Sequence, residues 1–167
     1  MSESVIALLM LLPIAILIIF LNRSGKSQIK KKEAGFLNYL KQVKEENGIH
    51  VSFKQLLHKQ LVVLDEMSKR LLVINGENGH YSYSLFKFHD LKSYEVKHVK
   101  QSFMPDAKKK KSETITIQVG LEIVSRSADQ PGIFISFYDR DVYNIISLGV
   151  LEKEAMRLKD RIRELVN

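Results

Sequence analysis

Hydrophobic and polar positions divide this chain of 167 residues into three stretches with different patterns. The first is an uninterrupted apolar run of 17 residues from Val5 to Leu21. A helix of that length rises about 25 Å, the lower end of what crosses the hydrocarbon core of a bilayer. The run therefore predicts a membrane-spanning helix within an anchor segment 1–22. The residues predicted to lie in the membrane include Val5, Leu12, Pro13, Ile16 and Leu21.

Cations follow the apolar run but do not precede it, since the N-terminal flank offers only Ser2, Glu3 and Ser4. Lys and Arg resist translocation, so this asymmetry predicts an N-terminus outside and a cytoplasmic C-terminal domain at the plasma (inner) membrane. A cleaved signal would need a positive segment before the run and a small-x-small cleavage site, which Phe20-Leu21-Asn22 does not provide. We therefore favour a retained, single-pass anchor. The basic collar consists of Arg23, Lys26, Lys30, Lys31 and Lys32.

The second stretch has a helical period. Phe36, Leu37, Leu40 and Val43 recur at the spacing of one helix face, which predicts a helix over 28–46. Asn47-Gly48 supplies a C-terminal stop, because Gly readily adopts the left-handed conformation that ends helices. We assign 23–48 to the collar and a juxtamembrane helix.

The third stretch, 49–167, begins with a strand pattern. Two β-rich runs flank the polar turn Asp65 to Lys69 and predict a hairpin, and two Asx-Gly pairs at 75–79 predict a loop. The longest strand alternates one apolar and one polar face from Thr114 to Ile123, as half-buried antiparallel strands do. The strands predicted around these features are 60–64, 70–74, 81–88, 91–99, 114–123 and 132–138, with a polar bend at His89-Asp90.

The C-terminal segment returns to a helical period. Its apolar stripe consists of Leu148, Leu151, Ala155, Leu158, Ile162 and Leu165. Charged residues fill the other face, so the pattern predicts an amphipathic helix. A short coiled coil would show the same spacing, but fewer than three heptads are present, and we expect the stripe to pack on the sheet.

The order of these elements and several short phrases resemble bacterial pleckstrin-homology-like (PH-like) domains. The phrases are an Asp-containing turn at Asp65, the strand start Arg70-Leu71, and Asp90-Leu91-Lys92-Ser93-Tyr94-Glu95. The resemblance covers roughly Lys59 to Val166. It implies an α+β fold: an antiparallel PH-like β-barrel or sheet of about seven strands, capped by the C-terminal amphipathic helix.

The resemblance does not carry over a lipid site. Phosphoinositide-binding members of the eukaryotic group use a basic signature on the first hairpin, whereas this turn pairs Lys69 and Arg70 with Asp65 and Glu66. Those carboxylates would repel a phosphorylated headgroup. The remaining candidates for anionic-lipid contact are the basic collar and a lysine run, which is either a solvated loop or a surface for anionic lipid. The run consists of Lys108, Lys109, Lys110 and Lys111.

Composition and motifs do not indicate a catalytic activity. The chain has no Cys, so no disulfide is available, and its net charge of +7 is concentrated in residues 22–32, which argues against a nucleic-acid partner. Gly25-Lys26-Ser27 resembles the end of a phosphate loop, but the required earlier Gly is replaced by Phe20. The five histidines lack zinc-ligand spacing, and Asp139 and Asp141 flank Arg140, which suggests a local ion cluster. We predict no enzyme activity, no cofactor and no metal.

Two function classes remain open. The first is a single-pass, membrane-anchored cytosolic interaction module that binds a protein partner or packs on the bilayer through exposed strand edges and loops. The second is a sensor of anionic lipid surfaces that uses the basic collar and the Lys108–Lys111 run.

Overall fold

A computed structural model of the chain describes residues 29–103 and 113–166. The predicted span Val5–Leu21 lies outside these residues, as do Arg23, Lys26 and the run Lys108–Lys111. No helix in the described ranges is long and apolar enough to cross a membrane.

The described part begins with helix α1, residues 29–47, followed by a four-stranded antiparallel sheet in the order β1-β2-β3-β4. Its strands are β1 (Phe53–Leu56), β2 (Gln60–Asp65), β3 (Arg70–Glu77) and β4 (His80–Lys87). A short 3-10 turn at Phe88–Asp90 redirects the chain into the second sheet.

The second sheet is antiparallel and three-stranded, in the order β5-β6-β7. It consists of β5 (Leu91–Phe103), β6 (Glu113–Ser125) and β7 (Ile133–Asp139), and helix α2 (Leu148–Val166) follows a 3-10 turn at Ile145–Ser147. The fold is thus α+β. Within the described ranges no ladder joins the two sheets, so the expected closed barrel is not formed. The 3-10 turn at Phe88–Asp90 separates β4 from β5, and β5 pairs with β6 and not with β4.

Two apolar cores lie on opposite faces of the β2–β3 hairpin. The inner core packs the two sheets against Ala155, Leu158 and Ile162 of α2, which confirms that the stripe of this helix packs on the sheets. The outer core packs α1 against the other face of the hairpin. Its buried members are Phe36, Leu40, Val43, Ile49, Leu61, Val63, Leu72 and Ile74.

Burial on both faces explains the sequence of the hairpin. Residues 61–64 are at most 2% exposed and read Leu-Val-Val-Leu, without the polar alternation of a one-sided strand. The predicted pairing of 60–64 with 70–74 is confirmed. Helix α1 therefore belongs to the packed structure through Phe36, Leu40 and Val43.

Two expectations need correction. The loop expected over 75–79 is mostly strand, because Asn75 to Glu77 pair with His80 to Ser82 and only Asn78-Gly79 turns. Both turn residues have positive φ, 52° and 82°, which matches the twist of a two-residue hairpin. In β6, Val119, Leu121 and Ile123 are buried as expected, but Ile115 and Ile117 are only half-buried. The cause is the pairing of β7 with 118–123 only, which leaves the distal part of the β5–β6 ribbon uncovered.

Candidate functional site

A cleft of about 490 Å³ opens between the two sheets and is the candidate functional site. The β1–β2 loop, the β3–β4 hairpin and the end of β7 surround it. Its side chains come from both sheets and from the segment after β7. The residues that line the cleft include His58, Lys59, Gln60, Glu77, Asp139 and Tyr143.

Gln60 forms the floor of the cleft and connects the two sheets. Its Nε2 donates to Asn75 Oδ1 at 2.8 Å and to the Phe134 carbonyl at 3.0 Å. Its Oε1 accepts a hydrogen bond from the Ser136 N–H at 2.8 Å. The side chain is 8% exposed, so these bonds satisfy an amide that would otherwise be costly to bury. The Gln60 side chain thus pairs with one carbonyl and one N–H group of the β7 backbone, as the backbone of a neighbouring strand would.

One rim of the cleft carries an ion pair. Lys59 Nζ lies 2.7 Å from Glu77 Oε1, across the open end of the β2–β3 hairpin. This hydrogen bond raises the pKa of Lys59 and lowers that of Glu77. Both side chains are more than half exposed, so water screens the pair and it adds little to stability. The pair places a fixed positive and a fixed negative group beside the cleft entrance.

A second part of the rim, next to Lys59, is aromatic. The ring centroids of His58 and Tyr143 are 6.4 Å apart in an edge-to-face arrangement. Burial, together with the charges of Lys32 and Lys59, lowers the pKa of His58, and burial raises the pKa of Tyr143. Both side chains are therefore held in their neutral forms near neutral pH. They can donate or accept hydrogen bonds at the entrance and also offer ring faces to a ligand.

Asp139 closes the cleft at the end of β7. Its Oδ2 accepts from Gln118 Nε2 at 3.1 Å, and its Oδ1 accepts from the Asp141 N–H at 3.0 Å. The ion cluster expected among Asp139, Arg140 and Asp141 does not form, because the Asp139 carboxylate is taken up by these neutral donors. Within the described ranges, no group of three or more His, Asp or Glu side chains could hold a metal ion.

The predicted lipid-contacting residues are only partly placed. Lys30, Lys31 and Lys32 lie in the first turns of α1; Lys30 and Lys31 are exposed and Lys32 is half-buried. Gly35, in the same part of α1, lies against the hydroxyl of Tyr81, which lines the cleft. The start of α1 and the cleft therefore share one end of the structure.

Sequence reasoning did not single out Gln60, His58 or Tyr143 as a group. They are up to 85 positions apart, and the sheets bring them together only through long-range pairing. The one local signal was Gln60 itself, a polar residue at the start of the apolar run Leu61–Leu64.

The chain was compared with known proteins, and no family model, curated protein or solved structure matches it.

Proposed function

We propose that this protein is a single-pass, membrane-anchored cytosolic interaction module of the PH-like type, which binds a protein partner and catalyses no reaction. The anchor is the Val5–Leu21 run, and the partner site is the cleft between the two sheets. Support for the PH-like assignment comes from the arrangement of four and three antiparallel strands followed by a terminal helix. The phrases at Asp65 and at Asp90–Glu95 add to it.

The observation that carries the proposal is the packing of α1 on the outer face of the β2–β3 hairpin. Phe36, Leu40 and Val43 are at most 6% exposed in this contact. Arg70 reinforces it, because its guanidinium donates to the carbonyls of Asn47 and Gly48 at the end of the helix. A helix held in this way keeps the sheets within the reach of residues 22–28, which join α1 to the anchor.

Tethering makes a modest binding surface useful. A partner in the same membrane meets the domain at an effective concentration far above its average in the cell. The cleft suits such a partner, because it offers the rings of His58 and Tyr143 and the paired charges of Lys59 and Glu77. An extended segment of a membrane-associated protein matches a groove of this shape between two sheets.

A crosslinking experiment in intact cells tests the proposal. A benzophenone amino acid at Ser82, which is exposed and lines the cleft, should give a discrete adduct with a protein partner. The matched control is the same amino acid at Met67, which is 79% exposed in the turn at the far end of the hairpin. Equal adducts from both positions, or none from Ser82, would argue against a partner site in the cleft.

The topology has a separate test, because the chain contains no Cys. Met67→Cys should resist a membrane-impermeant maleimide in intact cells and react after permeabilisation. Labelling in intact cells would place the domain outside and refute the cytosolic assignment.

A lipid-sensing function is the alternative, favoured by the exposure of Lys30 and Lys31 at the start of α1. It predicts that residues 29–167, once shown to be folded, sediment with anionic vesicles at low salt and fail to do so when Lys108–Lys111 are replaced by Gln. Lack of sedimentation by the unmodified fragment would eliminate this alternative.

A further inference from the structure

An exposed apolar knob spans the segment after β7 and the first turn of α2. We define it by Val142, Ile145, Ile146 and Val150. Ile146 is 83% exposed, Ile145 and Val150 are each 64% exposed, and Val142 is 39% exposed. Four large aliphatic side chains this close together in solvent are costly unless something covers them.

The knob is a built turn, and its exposure is not the result of fraying. Asn144 Oδ1 accepts from the Ile146 N–H at 3.2 Å, and the Ser147 N–H donates to the Asn144 carbonyl at 2.9 Å. Before it, the N–H groups of Val142 and Tyr143 donate to the Asp139 carbonyl at 3.0 and 2.8 Å. The turn therefore holds Ile145 and Ile146 outward.

Charge is missing from the segment that carries the knob. The ten residues from Val142 to Leu151 contain no Asp, Glu, Lys, Arg or His, in a chain that is 27% charged. No charged group would have to lose water if this segment entered an apolar medium. Tyr143 adds an amphipathic ring of the kind that favours membrane interfaces.

The position of the knob relates it to the anchor. Tyr143 lines the cleft together with Tyr81 of β4, and the Tyr81 hydroxyl lies against Gly35 near the start of α1. The knob and the start of α1 thus lie at one end of the molecule. Residues 22–28 are the only chain between the Val5–Leu21 run and α1, and seven residues reach at most about 25 Å. The exposed Lys30 and Lys31 lie at the same end and match anionic headgroups.

We propose that this apolar knob inserts into the interfacial layer of the bilayer that the Val5–Leu21 helix spans. The inference rests on the proposed function, because it needs the anchor to be in the membrane. A protruding turn of four side chains is too small for a stable dimer, which takes about 1,200–2,000 Å² of buried surface. It is suited to the shallow entry, about 5–10 Å, that interfacial segments make.

Full-length protein in proteoliposomes of neutral and anionic phospholipid provides the test. Gly149→Cys places a fluorophore beside the knob and leaves its four side chains unchanged, since a Cβ there meets nothing within 4 Å. Met67→Cys at the far end of the hairpin is the matched control. The Gly149 probe should emit at shorter wavelength, resist iodide severalfold better than the Met67 probe, and be quenched by doxyl-labelled lipid. Ile145→Asp with Ile146→Asp should abolish all three differences.

Each other outcome overturns the inference. A Gly149 probe as accessible to iodide as the Met67 probe shows a knob in water. A probe that is protected from iodide but unaffected by doxyl lipid shows contact with protein, either a second copy or a partner. Alkaline carbonate extraction tests separately whether the chain is anchored in the membrane, as the proposed function requires. Release of the chain refutes the anchor, whereas a resistant chain with an accessible probe refutes the knob alone.

Discussion

Substitution of Gly76 tests the packing of α1 on the β2–β3 hairpin. Gly76 lies in β3 opposite Tyr81 of β4. A Cβ at this position would lie 2.6 Å from Cζ of Phe36 and 2.8 Å from Cε1 of Tyr81. Both separations are well inside the optimal carbon–carbon distance of about 3.5–4.0 Å. Gly76→Ala therefore forces the Phe36 ring, and α1 with it, away from the sheet.

The size of the effect follows from two opposing contributions. Overpacking a close-packed site costs about 1–3 kcal/mol. Ala in place of Gly in a strand recovers about 0.5–1 kcal/mol of backbone entropy. The Phe36 ring has little freedom to relieve the clash, because it is 1% exposed and packs edge-on against Tyr81 at 5.2 Å. We expect Gly76→Ala to lower the free energy of unfolding by about 1–2 kcal/mol.

Pulse proteolysis of the full-length chain in detergent, across a urea gradient, measures this change as a shift in midpoint. The matched control is Gly149→Ala in the first turn of α2, where the added Cβ meets nothing within 4 Å. This control should raise the midpoint, because Ala is favoured over Gly in a helix by about 1 kcal/mol.

A double-mutant cycle assigns the cost to Phe36. Phe36→Leu removes the ring atoms nearest the new Cβ, so the cost of Gly76→Ala should fall, with a coupling energy of about 1 kcal/mol or more. A Gly76→Ala midpoint that rises as the Gly149→Ala midpoint does, or strict additivity with Phe36→Leu, would refute the packing described here.

Two buried polar groups give the remaining predictions, both read as urea midpoints. Asp65, 1% exposed, accepts from the Ser68 and His50 N–H groups and from Arg70 at 2.9–3.1 Å. Burial alone would raise its pKa, but these bonds together lower it below 3.8. We expect Asp65→Asn to cost about 2–3 kcal/mol at pH 7. The stabilisation by ionised Asp65 is complete above pH 3.8 and disappears as the pH falls through the lowered pKa. The difference in urea midpoint between Asp65→Asn and the unmodified chain should therefore shrink in acid. A difference that does not change with pH would contradict this role of Asp65. Gln60→Glu should lower the free energy of unfolding more at pH 7 than at pH 4. A carboxylate cannot donate to Asn75 or to the Phe134 carbonyl, whereas a carboxylic acid can donate one hydrogen bond. An equal loss of stability at both pH values would contradict the hydrogen bonding described for Gln60.

Local patterns were enough to predict most of the described elements. The β2–β3 hairpin, the strand β6 and the helix α2 each have a period that depends on near neighbours in sequence, and all three are confirmed. The two-layer burial of the hairpin was not predicted, although the unbroken apolar run from Leu61 to Leu64 was a signal for it. The cover on its outer face comes from α1, which the PH-like resemblance does not include.

The cleft was beyond the reach of local patterns. Its floor depends on Gln60 of the first sheet meeting the β7 backbone at Phe134 and Ser136, a contact across more than 70 positions. No spacing rule connects such residues, because their distance is set by how the two sheets cross. A polar residue such as Gln60 at the start of a buried run indicates a satisfied amide somewhere, but the partner has to come from the tertiary structure.

Helix α1 makes the two proposals depend on each other in a testable way. If the domain is held at the bilayer through α1, the knob reaches the lipid only while α1 stays packed on the β2–β3 hairpin. The same helix also packs on the cleft, because the Phe36 ring lies against Gly76 and Tyr81, and both of these residues line it. Loosening α1 with Gly76→Ala should therefore increase the accessibility of the Gly149 probe to iodide and also reduce crosslinking from Ser82. A change in one readout without the other would show that contact with the membrane and recognition in the cleft do not depend on the same helix.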